Sequence, residues 1–287
     1  MLDWPLLWTM LKNHRADRVN RGKIGHTETE ELPPVAAEEA TAFGAVTGDP
    51  NPAYEKTGGP LPPLYIAKLV IPPMKRILQL PGLHLNLLRM VHAEQTVYWH
   101  RPLHSGLPLR LSATLTGVRD TPAGELVEIS GCCRVCGKAA VEGVTGLLVR
   151  TKRRRQSNER IAAPPGVEHF RVGLSTWEGQ QLDYARVSGD RNVIHTSEWA
   201  ARAAGLPRTI LHGACVLAMT CRALTDTLAG GDNGRIEKIG CRFARPALPG
   251  KPLTLVGYES ADRRRVPFEV CDESGRPAIK NGYFRYR

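Results

Sequence analysis

Two hydrophobic rhythms follow one another in the C-terminal part of the chain. From Ile210 to Leu228 apolar residues are so dense that they predict a long helix buried on most of its sides. From Ile236 to Phe243, Leu253 to Tyr258, Pro267 to Cys271 and Ala278 to Tyr286 they alternate with polar residues, and Pro-Gly, charged and Gly-rich stretches separate these runs. That pattern predicts strands. An apolar helix needs a wrapper, so the expected class is α+β, with an antiparallel sheet curled around a central helix. Upstream, Thr196 or Ser197 is placed to cap a short helix that runs to Gly205. Val127 to Arg150 reads as two strands turning at Gly137-Lys138, and Leu78 to Val91 is a leucine-rich apolar stretch.

The same set of residues occurs twice. Phe43-Gly44-Ala45-Val46-Thr47-Gly48-Asp49-Pro50-Asn51-Pro52-Ala53-Tyr54 aligns with Tyr184-Ala185-Arg186-Val187-Ser188-Gly189-Asp190-Arg191-Asn192-Val193-Ile194-His195, Gly189 lying 141 positions after Gly48. Arg101-Pro102, Gly106 and Pro108-Leu109 echo Arg245-Pro246, Gly250 and Pro252-Leu253, Arg245 lying 144 positions after Arg101. Two matches in one order at nearly one offset imply a duplicated domain. The expected division is an N-terminal segment 1–30, a first domain 31–150, a linker 151–165 and a second domain 166–287, the linker marked by the polar run Thr151 to Glu159 and by Pro164-Pro165. In the first segment Leu2, Trp4, Leu6, Leu7, Trp8, Met10 and Leu11, followed by Lys12, Arg15 and Arg18, predict an amphipathic helix. Its expected use is docking on its own domain or on a partner subunit.

Composition narrows the class. A chain of 287 residues, 42% of them hydrophobic, suits two modest cores. No run approaches the roughly 18 to 20 apolar residues of a membrane span, and no basic segment leads to a small-residue cleavage site, so a cytoplasmic protein is expected. Seven cysteines without an export signal imply reduced thiols. Cys133 and Cys136 have CxxC spacing next to Cys132, but no second pair accompanies them; Cys215, Cys221, Cys241 and Cys271 stand singly, and no metal is expected. The net charge of +11 calls for an anionic partner. Lys152-Arg153-Arg154-Arg155 and Arg263-Arg264-Arg265 lack interleaved aromatics and any nucleic-acid motif, so they read as solvated charge, with nucleic acid not the expected partner.

The chemistry concentrates in Ser188-Gly189-Asp190-Arg191-Asn192-Val193-Ile194-His195. A carboxylate and an imidazole across a Gly-containing turn can converge on one water, one taking its proton and the other delivering a proton to carbon. Asn192 can hold that geometry through its amide, although Gly-Asp-x-Asn is ordinary turn chemistry too. Leu211-His212-Gly213 then opens the apolar helix, whose first amides can bind a thioester oxygen as it gains charge. Gly213 also fits a packing glycine. His212 is read as a capping or core histidine.

The run from Tyr184 through His195 and on to His212-Gly213 resembles the hydratase-2 motif of the MaoC-like dehydratase family, departing from it at Val193, where the family usually has proline. The resemblance implies two fused hot-dog domains, a double hot dog. It further implies Asp190 and His195 as acid and base, Asn192 as positioning amide, the Gly213 amide as oxyanion donor, and reversible hydration of trans-2-enoyl thioesters to (R)-3-hydroxyacyl thioesters without a cofactor. In the first copy Tyr54 replaces His195 and Tyr65 stands near the glycine position, so Asp49 and Asn51 are expected to be structural, in a half that makes room for an acyl tail lined by Leu78 to Val91. The partner is then coenzyme A or acyl carrier protein, both anionic. Lys238, Arg242 and Arg245 are candidates for its phosphates, or for structural ion pairs. Dehydration on a carrier protein, a non-catalytic acyl-thioester binding subunit and a homodimer of fused chains stay open at this point.

Overall fold

The computed structural model describes residues 18–150 and 166–287, together with Asn13 and Ala16. The amphipathic helix expected over Leu2 to Leu11 and the linker 151–165, with its Lys152 to Arg155 run, lie outside the described residues.

Strands β1 (Thr27–Leu32), β2 (Met90–Trp99), β3 (Leu109–Thr121), β4 (Gly124–Val135) and β5 (Lys138–Arg150) come from the first half of the chain. Strands β6 (Glu168–Leu174), β7 (Ile236–Phe243), β8 (Leu253–Tyr258), β9 (Arg265–Cys271) and β10 (Pro277–Tyr286) come from the second. They form one ten-stranded sheet in the order β1-β3-β4-β5-β2-β7-β10-β9-β8-β6. Each half repeats one internal order, so the duplication seen in the motifs is also a duplication of topology. The halves join where β2 pairs with β7, Gln95 opposite Cys241 and Val97 opposite Ile239. Strand β1 starts at Thr27, inside the segment 1–30 that the motif alignment placed outside the repeat, and Thr27 stands 141 positions before Glu168, the first residue of β6. The hairpin between β4 and β5 turns at Cys136 and Gly137, both at positive φ (49° and 75°), one residue earlier than expected. That mirror-image turn matches the twist of paired strands. Cys133 is buried in the core and Cys136 is exposed on the turn, so the CxxC spacing marks a hairpin end.

The helices are α1 (Ala37–Val46), α2 (Ile66–Leu69) and α3 (Ile71–Leu78) in the first half, and α4 (Gln180–Ser188), α5 (Val193–Thr196), α6 (Glu198–Ala203) and α7 (Gly213–Ala229) in the second. Helix α7 is the expected central helix, burying Cys215, Val216, Leu217, Cys221 and Leu224. It begins later than Ile210 because the Leu211 N–H donates to the Ala247 carbonyl (2.8 Å), which keeps that segment extended. The equivalent helix of the first half is broken into α2 and α3. Pro72 and Pro73 lack the N–H groups that would bond to the carbonyls of Lys68 and Leu69, so the helix restarts at Ile71. Opposite the broken helix the sheet includes the small residues Ala113, Gly131, Gly143 and Thr145 beside Ile129 and Leu147, and space remains between the two layers. Of the stretch Leu78 to Val91, Leu78, Leu87, Met90 and Val91 line that space, while Leu83 and Leu85 are buried in a separate core with Ile77, Leu115 and Val127.

Candidate active site

Helix α4 ends at Gly189, whose φ of 81° is a left-handed conformation that glycine adopts without strain. The next residues fold on their own side chains. The Asp190 N–H donates to Ser188 Oγ (3.1 Å), the Asn192 N–H to Asp190 Oδ1 (3.2 Å) and the Ile194 N–H to Asn192 Oδ1 (3.4 Å). Asn192 therefore caps α5, an exposed residue on the cavity rim that holds the loop. Val193 is the first helical residue, where a proline's missing N–H would cost nothing, so valine loses only a preset φ.

One turn of α5 carries His195 into the interior. Its Nδ1–H donates to the Ile210 carbonyl (2.8 Å), and that tautomer leaves the lone pair on Nε2. Burial holds the His195 pKa below the ordinary imidazole value against the pull of Asp190, so the ring is neutral at pH 7. His212 lies stacked on it, ring centroids 3.7 Å apart and planes 23° from parallel, and Tyr184 packs tilted against His212 at 4.8 Å. His212 does not cap α7 through its side chain; its Nε2–H donates to the Asp190 carbonyl (2.9 Å) and fixes the backbone of that turn. Burial, followed by the charge of His195, pushes His212 down to about 4. One oxygen of Asp190 and one nitrogen each of His195 and His212 lie within 4.8 Å of one another. Among the described residues this is the one cluster with metal-capable donors at such spacing, and the gap also suits a water bonded at about 2.8 Å to each side.

Gly213 opens α7 beside these groups. A Cβ there would stand 3.0 Å from the Phe243 ring, so the glycine permits packing as well as access to the first-turn amides, which have no partner within a helix. Phe243 in turn packs on His92 of β2 at 4.6 Å between ring centroids. No motif pointed to His92. It reaches the site across the β2–β7 junction, a pairing of strands far apart in sequence.

The site opens into a cavity of about 1310 Å³, larger than the roughly 300 to 1,000 Å³ of common ligand pockets. Asp190, His195, Gly213 and Phe243 line one part, and Leu64, Ile66, Val70, Met74, Val97, Ile129 and Leu147 of the first half line another. Lys75, Arg89, Arg150, Arg191 and Arg245 border it as well. Of the three cations singled out by sequence only Arg245 is among them. Lys238 sits between the Tyr98 and Tyr283 rings, and Arg242 pairs with Glu94 at 3.8 Å.

The corresponding turn of the first half is filled in. Tyr54 donates its hydroxyl hydrogen to Asp49, Arg222 from α7 donates to Asp49 Oδ1 (2.7 Å), and Asn233 donates to the Tyr54 hydroxyl (2.7 Å). Asn51 caps a short turn, and Tyr65 is buried against Phe43. None of Asp49, Asn51, Tyr54 and Tyr65 borders the cavity.

His92 and His212, both at about 4 in the folded protein, make stability depend on pH. Above ~6.5 the rings are neutral in both states; as pH falls from there toward 4 the unfolded chain takes up protons that the folded chain refuses, and stability drops. At pH ~5 His92 alone costs about 2 kcal/mol, and His212 acts in the same direction. Urea melts at about pH 7.5 and about pH 5 check this, His92→Gln being expected to lose less than the parent; equal losses in the two proteins would contradict it.

A ten-stranded sheet in two matching halves, with apolar helix α7 against one half and a catalytic-type turn at its N-terminus, defines the double hot-dog class. Solved structures agree: a MaoC-like dehydratase from Phytophthora capsici superposes with a TM-score of 0.80 at 23% identity over 94% of this chain and 98% of that one. A Mycobacterium tuberculosis protein described as a double hotdog gives 0.62 at 10% identity, over 92% and 96%. The MaoC-like domain profile matches residues 159–271. The 3-hydroxyacyl-thioester dehydratase Y of Mycobacterium tuberculosis is 32% identical over 67% of this chain and 70% of its own length. Enoyl-CoA hydratase ChsH3 of the same organism is 30% identical over 71% and 72%. The chain belongs to the MaoC-like dehydratase family and is a hydro-lyase. Among the described residues no helix is long and apolar enough to cross a membrane.

Proposed function

We propose that the protein catalyses reversible hydration of trans-2-enoyl-CoA thioesters to (R)-3-hydroxyacyl-CoA thioesters. The observation that carries this reading is the close grouping of Asp190 and His195, the latter with its Nε2 lone pair uncommitted, on a largely apolar cavity that Gly213 at the start of α7 also lines. His195 Nε2 takes a proton from water, whose oxygen bonds to C3. The electrons of the double bond move toward the thioester oxygen, where the Gly213 N–H stabilises the enolate. The proton that His195 took from the water passes to the Asp190 carboxylate, which delivers it to C2, so that both groups end as they began. Addition of water involves no net oxidation, so the scheme calls on no redox cofactor. The cations bordering the cavity suit the phosphates of coenzyme A. The test is loss of enoyl absorbance on a ladder of trans-2-enoyl-CoA substrates, with chiral analysis of the product. Turnover rising with chain length and an (R) product are expected; no turnover at any length would overturn the reading.

A further inference from the structure

The first-half lining of the cavity is largely apolar, with Lys75, Arg89 and Arg150 bordering it, and it carries a hydrogen-bonded polar cluster. On its wall, Gln95 of β2 stands opposite Thr145 of β5 in the sheet register, with His92 three residues before Gln95. Gln95 Oε1 accepts from the Thr145 hydroxyl (3.0 Å) and from His92 Nε2 (3.1 Å), and Gln95 Nε2 donates to the Thr96 carbonyl (3.2 Å). Leu147 on β5 and Val97 on β2 border the group on either side, and Ile129 lines the same cavity.

An aliphatic tail gains nothing from such a group, because burying polar side chains against hydrocarbon costs free energy unless their hydrogen-bonding capacity is met. Counting that capacity leaves a residue. Gln95 Nε2 has a second hydrogen beyond the one given to Thr96, and the Thr145 oxygen has lone pairs free after its hydrogen goes to Gln95. One donor and one acceptor side by side match a hydroxyl, which accepts from the first and donates to the second. A site built to bond a hydroxyl discriminates strongly against the analogue without it, since its polar groups are then left unpaired.

We infer that the preferred substrates carry a hydroxyl group on the acyl chain, beyond the reacting double bond, held by Gln95 and Thr145 with His92 orienting the Gln95 amide. The inference rests on the hydratase reading. Its test uses enoyl-CoA thioesters of a single length, each bearing one hydroxyl moved stepwise along the chain, and the unsubstituted parent. At one hydroxyl position kcat/KM is expected to exceed that of the parent by about tenfold or more. The double variant Gln95→Leu/Thr145→Val is expected to reverse that order. Turnover of the parent with no hydroxylated chain preferred at any position would overturn this inference alone. No turnover of any member would overturn the hydratase reading. Binding of the matching saturated hydroxyacyl-CoA pair, measured by calorimetry, then decides the hydroxyl preference separately, equal affinities refuting it.

Discussion

Asp190→Asn and His195→Ala are each expected to lower turnover of an enoyl-CoA substrate by about 10² to 10⁴-fold, the range that a positioned acid or base contributes. The two replacements differ in what they leave behind. Asparagine at 190 retains an oxygen to accept from the Asn192 N–H, so the turn survives and the loss is confined to proton transfer. Alanine at 195 also strips the Ile210 carbonyl of its donor and empties buried space, so that variant should be less stable, the unpaired carbonyl alone costing about 1 to 3 kcal/mol. In the proposed scheme both groups serve one water, and the double variant is therefore expected to be little slower than the worse single one. Rates per folded molecule on purified variants, with melting curves alongside, check these outcomes; retained activity in both singles would remove the acid-base assignment.

Arg222→Leu is expected to destabilise the fold by about 2 to 3 kcal/mol, since it leaves the buried Asp49 carboxyl without its half-buried cation, which also pairs with Asp226. Arg222 lies in α7 and reaches Asp49, 173 residues earlier in the chain, so the pair ties the helix of the second half to the motif turn of the first. Burial already holds the Asp49 carboxyl above its ordinary pKa, against the opposing pull of Tyr54 and Arg222. Without the guanidinium that pKa rises further. The variant's deficit relative to the parent should then be small at a pH where Asp49 is protonated, and should grow as pH rises through the raised value. Paired urea melts of parent and variant across the pH range read this directly, and a deficit independent of pH would show that the pair carries no charge coupling.

The elements of the second half were legible because each is decided locally. Strands β7 and β8 fall where the alternation placed them, and Ser197 caps α6 through its Oγ to the Ala200 N–H. The motif turn was legible for the same reason: Ser188, Asp190 and Asn192 bond to their own backbone within two residues. What escaped the sequence depends on distant pairing. His92, Gln95 and Thr145 look like ordinary strand positions until the registers of β2, β5 and β7 bring them to the cavity. His212 reads as a capping or core histidine; it is buried, and what the sequence did not show is that its side chain serves the carbonyl of Asp190, 22 residues earlier. Pro72-Pro73 were visible, but their consequence, a broken helix with a cavity between it and the sheet, emerges only when both layers are in place.

The central claim is that the chemistry belongs to the second copy of the motif and that the first copy has become structural. Turnover per folded molecule of Asp190→Asn beside Asp49→Asn, on one long-chain trans-2-enoyl-CoA, tests it most directly. A loss of about a hundredfold or more for Asp190→Asn, with Asp49→Asn within a few-fold of the parent, is the predicted result; equal losses, or the larger loss at Asp49, would contradict it.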